Sequence, residues 1–312
     1  MALRIFTEPQ QGASYDQLLA VARAAEACGF DAWFRSDHFL KMGAATGLPA
    51  YTDAWTTLAG LARETSRLRL GTLVSPVTFR PIGTFPVVAA QVDHMSGGRV
   101  EVGLGAGWYE AEHEAYGLPF PSAADRYDLL EDQLAILHGV WSAAPGATFE
   151  HAGSTCSVRL EADPLRPLQR PHPPIVLGGR AGPRLASLAA RYADEFNASF
   201  VSAREAQRRF EAVRRACEAV GRDPETVVTS VALVLCCGAS PAELERRARA
   251  IGRDVAELRE HGLAGFPAEV VDKMARYRDA GARRFYLQVL DLADLDHLRL
   301  VGEEVQPFVE AC

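Results

Sequence analysis

Three places along the 312-residue chain combine residue types capable of chemistry. The first is Arg35-Ser36-Asp37-His38-Phe39, directly after the apolar run Ala32-Trp33-Phe34. A histidine just beyond a strand end exchanges protons near neutral pH, and a neighbouring carboxylate can orient its ring. Asp37 can equally tie down its own loop through local backbone bonds. The second is Leu177-Gly178-Gly179-Arg180-Ala181-Gly182, a strand–glycine–helix junction. Glycine there lets backbone N–H groups approach an anion that the helix N-terminus also attracts, although a tight βα turn alone would need the same residues. The third, Gly103-Leu104-Gly105-Ala106-Gly107, is G-x-G-x-G and lacks the spacing and the later acidic residue of a dinucleotide fingerprint. Gly105 and Gly107 would instead let a flat ring lie against the backbone, with Trp108 or Tyr109 at its edge.

Other chemistries lack support. His94, His113, His138, His151, His172, His261 and His297 have no metal-ligand spacing, and His113 with Glu110 and Glu114 lacks the second histidine of H-E-x-x-H, so no metal is expected. There is no G-x-S-x-G. The cysteines at 28, 156, 217, 236, 237 and 312 form no C-x-x-C pair, which suits a reducing cytoplasm, and Cys236-Cys237 sit in an apolar run as small hydrophobes. The net charge of -7 argues against a nucleic-acid surface, and no apolar run reaches the 18 or so residues of a membrane span. With 48% hydrophobic and 23% charged residues, the chain reads as a soluble globular protein.

The elements that must position these residues alternate. Strands are expected at residues 3–6, 31–35, 67–74, 99–104, 175–177, 195–200, 226–237 and 283–290. Helices are expected at 14–28, 53–66, 85–95, 125–141, 184–191, 205–220, 241–251, 268–280 and 295–309. Eight strand–helix units predict an α/β (β/α)8 TIM barrel rather than an open doubly wound sheet. One domain, 1–312, is expected, with an insertion near 145–170 whose residues 148–160 form a hairpin around Gly153-Ser154. A barrel gathers its active site at the C-terminal strand ends, which brings His38, the glycine-rich turn and the Gly178-Gly179 junction together. Trp33, Phe39, Tyr51, Trp55, Phe79, Trp108 and Tyr109 could line a pocket there, three or four of them facing it.

The ordered motifs resemble the luciferase-like superfamily, in its branch of coenzyme F420-dependent oxidoreductases. They include Gly29-Phe30-Asp31 leading to Ser36-Asp37-His38, Gln91-Val92-Asp93-His94-Met95-Ser96-Gly97-Gly98-Arg99, Gly103 to Trp108, and Ile175-Val176-Leu177-Gly178-Gly179. The resemblance spans essentially the whole chain. It implies a barrel with an insertion over the strand ends, usually a homodimer, with a deazaflavin at the mouth and a small organic substrate. It places His38 near the reactive face of the ring with Asp37 beside it, and a non-prolyl cis peptide at Leu73-Val74 against the ring. It gives the cofactor's phosphate to Gly178, Gly179 and Arg180, with Ala181 next to them. Trp108 stands where the sugar-phosphate dehydrogenases of this branch carry an acidic proton donor, which argues against glucose-6-phosphate; Glu110 and Glu112 are nearby. An FMN-dependent monooxygenase using O2 is the alternative, and a non-catalytic ligand-binding barrel a second. An anionic cofactor on an acidic body further predicts a basic rim that includes Arg180 and Arg184.

Overall fold

In a computed structural model, residues 1–43, 45–49, 51–160 and 164–310 are described. Cys312 and residues 161–163 of the expected insertion lie outside them. Eight parallel strands close into a barrel: β1 (Ala2–Thr7), β2 (Ala32–Arg35), β3 (Arg69–Thr72), β4 (Val100–Gly105), β5 (Ile175–Gly178), β6 (Glu195–Ser199), β7 (Val228–Cys237) and β8 (Arg284–Val289). Each pairs with the next, and β8 returns to β1 with Leu3 opposite Phe285 and Ile5 opposite Leu287. The expected barrel is borne out.

The helices follow from caps and apolar stripes. Ser14 and Gln17 form a reciprocal capping box on α1 (Tyr15–Ala27), and Asp53 caps α2 (Ala54–Glu64) through the Thr56 N–H at 2.8 Å. Further along are α3 (Phe85–Ser96), α4 (Glu110–Tyr116), α5 (Ala123–Ser142), α6 (Pro183–Tyr192) and α7 (Ala203–Ala219). The strand pleat sends Leu3 and Ile5 outward to a large apolar layer beneath the helices, while Arg4, Phe6 and Glu8 follow the lumen side of β1.

The lumen is layered. At its floor the buried Arg4 guanidinium bonds Glu101 at 2.6 Å and 3.1 Å, the Tyr286 hydroxyl at 3.0 Å and Asp31 at 2.8 Å, with Arg69 on Glu101 as well. Above it Phe34 meets Tyr286 edge-on at 4.9 Å, within a small cluster containing Phe6, Ala32 and Val176. The floor is therefore plugged, and the open space lies at the strands' C-terminal end.

Two local expectations change. The sequence missed α4, the strand Leu263–Gly265 that pairs with the end of β7, and the helix Val255–His261 before it. The final helix divides into Leu295–Glu304 and Gln306–Glu310. The hairpin Phe149–Ala152 with Ser157–Leu160 forms as expected, held at its turn by Asp132, which accepts from the Thr155 N–H at 2.8 Å and bonds His151 at 3.0 Å. Among the described residues none of this hairpin lines the mouth cavity, although Val158 lies beside Gly83 in the loop after β3. Asp132 and Phe149, which packs on Gly139, fix it to α5 on the barrel's outside.

Candidate active site

A cavity of about 450 Å³ opens at the C-terminal strand ends. Its lining includes Phe6 of β1 and Glu8 just past it, Ser36 and His38 after β2, Leu73, Val74 and Pro76 after β3, and Gly107 and Trp108 after β4. Gly178, Gly179 and Arg180 come from the end of β5, Phe200 from the turn after β6 and Arg209 from α7. The predicted residues His38, Leu73, Val74, Gly107, Trp108, Gly178, Gly179 and Arg180 thus share one cavity.

His38 is positioned by Glu112 on α4. The imidazole Nδ1–H donates to the Glu112 Oε2 at 2.9 Å. The other carboxylate oxygen accepts from the Leu40 N–H at 2.9 Å and from the Phe39 N–H, and Glu112 is fully buried. One carboxylate therefore sets both the ring tautomer and the loop that carries the ring. Trp108 and Tyr109, stacked at 5.1 Å, present edges to His38 at 5.9 Å and 6.2 Å. Glu110 lies one residue into the same helix but is exposed, so the first turn of α4 selects Glu112.

Asp37 has a different place from the one expected. It is buried with its carboxylate on the Ser75 hydroxyl at 2.6 Å and on Arg80, and it does not line the cavity. Adjacent residues after a strand point to opposite sides, so Asp37 ties β2 to the loop after β3 while His38 faces the space. Asp37 is corrected from a catalytic to a structural position.

A second wall of the cavity is built from backbone. The Leu73-Val74 peptide is cis, as expected. A Cβ on Gly103 would stand 1.8 Å from the Thr72 carbonyl oxygen, and one on Gly105 2.8 Å from Val74 Cγ2. Gly105 thus acts from behind, by making room for Val74, rather than by lining the cavity itself. Gly107, at φ 79°, turns the chain toward α4.

The anion-binding end is partly as expected. Gly178 and Gly179 reach the cavity, Gly179 at φ 150°. Pro183 starts α6, whose N-cap Gly182 supplies no side-chain bond to the helix N–H groups. Arg180 is exposed on the cavity edge. Ala181, in the left-handed region at φ 47°, is nearly buried outside the lining and shapes the turn instead. Arg184 does not contribute to the rim: it pairs with Asp128 and donates to the Ala124 carbonyl at 2.9 Å. Its place is taken by Arg209, which donates to the Gly179 carbonyl at 3.0 Å and belongs to no sequence motif.

Most of the aromatic candidates do not reach the cavity. Trp33 and Trp55 are in the core, and Phe39 packs on Phe79 at 5.2 Å and on Tyr116 at 5.4 Å. Only Trp108 of that group lines it, joined by Phe6 and Phe200, which no sequence motif marks. A second hollow of about 360 Å³ adjoins through Phe200 and Val201 and is walled in part by Gln288 of β8. His113 and the adjacent cysteines of β7 are structural. His113 bonds Thr78 at 2.6 Å and the Tyr109 carbonyl at 2.8 Å, and burial pushes the Cys236 and Cys237 thiols up to about 11 and about 12. Such thiols stay protonated and unreactive. Among the described residues no group of three or more His, Cys, Asp or Glu side chains suits a metal ion, and no helix is long and apolar enough to cross a membrane.

A closed barrel with a carboxylate-held histidine and a glycine-walled mouth defines a luciferase-like enzyme. Residues 1–262 match the luciferase-like monooxygenase family, and the chain belongs to it. An F420-dependent hydroxymycolic acid dehydrogenase of Mycobacterium tuberculosis is 30% identical over 213 residues, which are 68% of this chain and 56% of that protein. This chain thus spans little more than half of that relative. An F420-dependent glucose-6-phosphate dehydrogenase of Microbacterium testaceum is 28% identical over 321 residues, covering 94% of this chain and 93% of that one. The solved structure of an F420-dependent secondary alcohol dehydrogenase in complex with an F420-acetone adduct has the same fold, with a TM-score of 0.82 at 18% identity over 99% of this chain and 98% of that one.

Proposed function

We propose that this chain is an F420-dependent oxidoreductase that moves a hydride between the deazaflavin and a small organic substrate. The observation that carries the reading is the presence of two surfaces in one cavity, the glycine-relieved backbone at Leu73-Val74 and Gly107 and the Glu112-held His38. The first suits a flat ring, because close backbone approach needs no side chain in the way. The F420-dependent relatives support the same cofactor.

The residues fit such a group. Gly178, Gly179 and the start of α6 would hold its phosphate, with Arg180 and Arg209 adding positive charge at the rim. Leu73, Val74, Gly107 and Trp108 would flank the ring. When bound, the deazaflavin supplies a two-electron hydride donor or acceptor. The protein's part is to hold the partners in register and to manage the proton. With Nδ1 committed to Glu112, the His38 Nε2 is the nitrogen left to hold or release one.

Trp108 sits beside His38 without a titratable group, which favours an alcohol, carbonyl, imine or enone over a sugar phosphate. The test is a pair of titrations, one with F420 and one with FMN, followed by quenching of cofactor fluorescence. F420 binding with weak or no FMN binding is expected. Tight FMN binding without F420 binding would overturn the reading in favour of the O2-using alternative. A homodimer, checked by sedimentation equilibrium, is part of the same proposal.

A further inference from the structure

The mouth cavity does not end at its own rim. Phe200 and Val201, in the turn after β6, belong to its lining and equally to that of the adjoining hollow of about 360 Å³. Gln288 touches both spaces as well, since its amide reaches Glu8 of the mouth and its side chain walls the hollow. The two compartments therefore meet across an aromatic ring and an amide. The turn that carries the ring is pinned. Phe200 holds a left-handed φ of 53°, an uncommon setting for a bulky side chain. Its N–H donates to the Ala232 carbonyl at 2.8 Å, and the Val201 carbonyl accepts from the Tyr277 hydroxyl at 2.8 Å. Backbone bonds on both residues thus keep a half-exposed phenyl ring at the junction, its centroid 6.5 Å from that of Phe6.

The hollow is apolar at its base and charged only at its edge. Val234, Leu258, Tyr277 and Gln288 are buried there. Its roof packs apart from the main core, because Leu258 joins Val234, Cys236, Leu244, Ala248 and Ala264 in a satellite apolar cluster. Among the described lining residues the one guanidinium, Arg253, is engaged by both carboxylate oxygens of Glu257, one of them at 2.7 Å, and Glu260 stands exposed beside it. The edge therefore holds no uncommitted guanidinium for an anion and adds a carboxylate that would repel one.

Resting on the F420-dependent reading, we propose that this hollow is the subsite for the non-reacting arm of the substrate, that the arm is an uncharged apolar chain of several carbons, and that Phe200 is the specificity-determining residue it passes. The mouth cavity, at about 450 Å³, has the volume of a single ligand site, and on that reading the deazaflavin ring takes much of it. The reacting carbon stays in the mouth beside His38, and the rest of the molecule has the neighbouring compartment to enter. Burial of the arm against Phe200, Val201, Val234 and Leu258 supplies affinity through apolar area, and that energy holds the reacting end in place.

Two measurements decide the matter. The first follows reduction of a series of methyl ketones, from acetone to 2-octanone, by reduced F420. In the parent kcat/KM should rise by about 4-fold per added methylene until the hollow is full. The anion 7-oxooctanoate should be a poorer substrate than 2-octanone. Val234→Phe, which fills the hollow from its β7 wall, should bring the ratio between 2-octanone and acetone close to one. A flat series in the parent, a preference for 7-oxooctanoate, or an undiminished ratio in a folded Val234→Phe would each overturn the proposal. The second titrates 2-octanone into the cofactor-free full chain with labelled valine and leucine methyl groups. Methyl signals of Val201, Val234 and Leu258 should shift together; signals that stay still at saturating ketone would overturn it. If the parent fails to bind F420, the cofactor reading falls, and the methyl titration alone still decides whether the hollow takes an uncharged chain.

Discussion

Glu112 reaches 2.9 Å from the His38 ring and, with its other oxygen, clasps the next two backbone N–H groups. The histidine and its loop therefore move as one body with α4. His38→Ala should lower kcat by about 100-fold or more while F420 affinity, read by fluorescence quenching, changes little. Glu112→Gln, which keeps the side chain's shape but removes its charge, should fall between the parent and His38→Ala. Equal kcat in all three would detach the pair from the chemistry.

Asp37 should behave in the opposite way. Its buried carboxylate serves Arg80 and Ser75, so Asp37→Ala leaves the half-sequestered Arg80 with Asp53 as its one carboxylate and removes an acceptor of the Ser75 hydroxyl. A loss of about 3 kcal/mol in unfolding free energy is expected. Urea denaturation checks it, and a stable variant with crippled turnover would return Asp37 to the chemistry.

The rim makes a salt-dependent prediction. Arg180→Gln and Arg209→Gln should each weaken F420 binding by about 10-fold at low ionic strength, with the gap narrowing as salt rises. Arg184→Gln, paired with Asp128 away from the cavity, should leave the affinity unchanged. Isothermal titration at two salt concentrations separates the three.

Acid stability follows from two buried groups. Burial pushes the His297 imidazole down from 6.5 to about 3, where its Nε2 accepts the Cys237 N–H at 2.9 Å. In the floor cluster burial raises the Glu101 carboxyl, but Arg4 and Arg69 outweigh it and hold it down to about 2. In both cases the unfolded chain binds the proton more readily. The stabilisation is therefore complete at neutral pH, and acid removes it, from about 6.5 toward 3 for His297 and from about 4.5 toward 2 for Glu101. His297→Gln, which keeps an acceptor, should flatten the decline between pH 6.5 and 4 in urea-unfolding curves. Parallel curves would remove His297 from the account.

The barrel was legible because its strands are apolar runs punctuated by caps and glycines, and the strand ends marked His38, Val74, Gly107 and Gly178 at once. What escaped is set by tertiary direction. Glu112 was visible near Gly107, but only the turn of α4 shows that it, and not Glu110, faces inward. Arg209 and Arg184 look alike in sequence; Asp128, more than fifty residues away, holds Arg184 off the cavity, whereas Arg209, paired with Glu205 one turn away, stays on its lining. Glu8 carried a readable signal, the alternation Arg4-Phe6-Glu8, yet the first strand has no motif to draw attention to it. The strand Leu263–Gly265 is too short for any periodicity to show.

Three of the four tryptophans, Trp33, Trp55 and Trp141, are sealed in the core, whereas Trp108 is 64% exposed on the cavity rim. The protein consequently carries a single-point optical gauge. A non-absorbing occupant of the mouth will alter the emission of this one indole by contact, while exposure of the other three marks loss of the barrel. Trp108→Phe would silence that gauge and leave the background light, so filling and unfolding can be watched in one cuvette as separate signals.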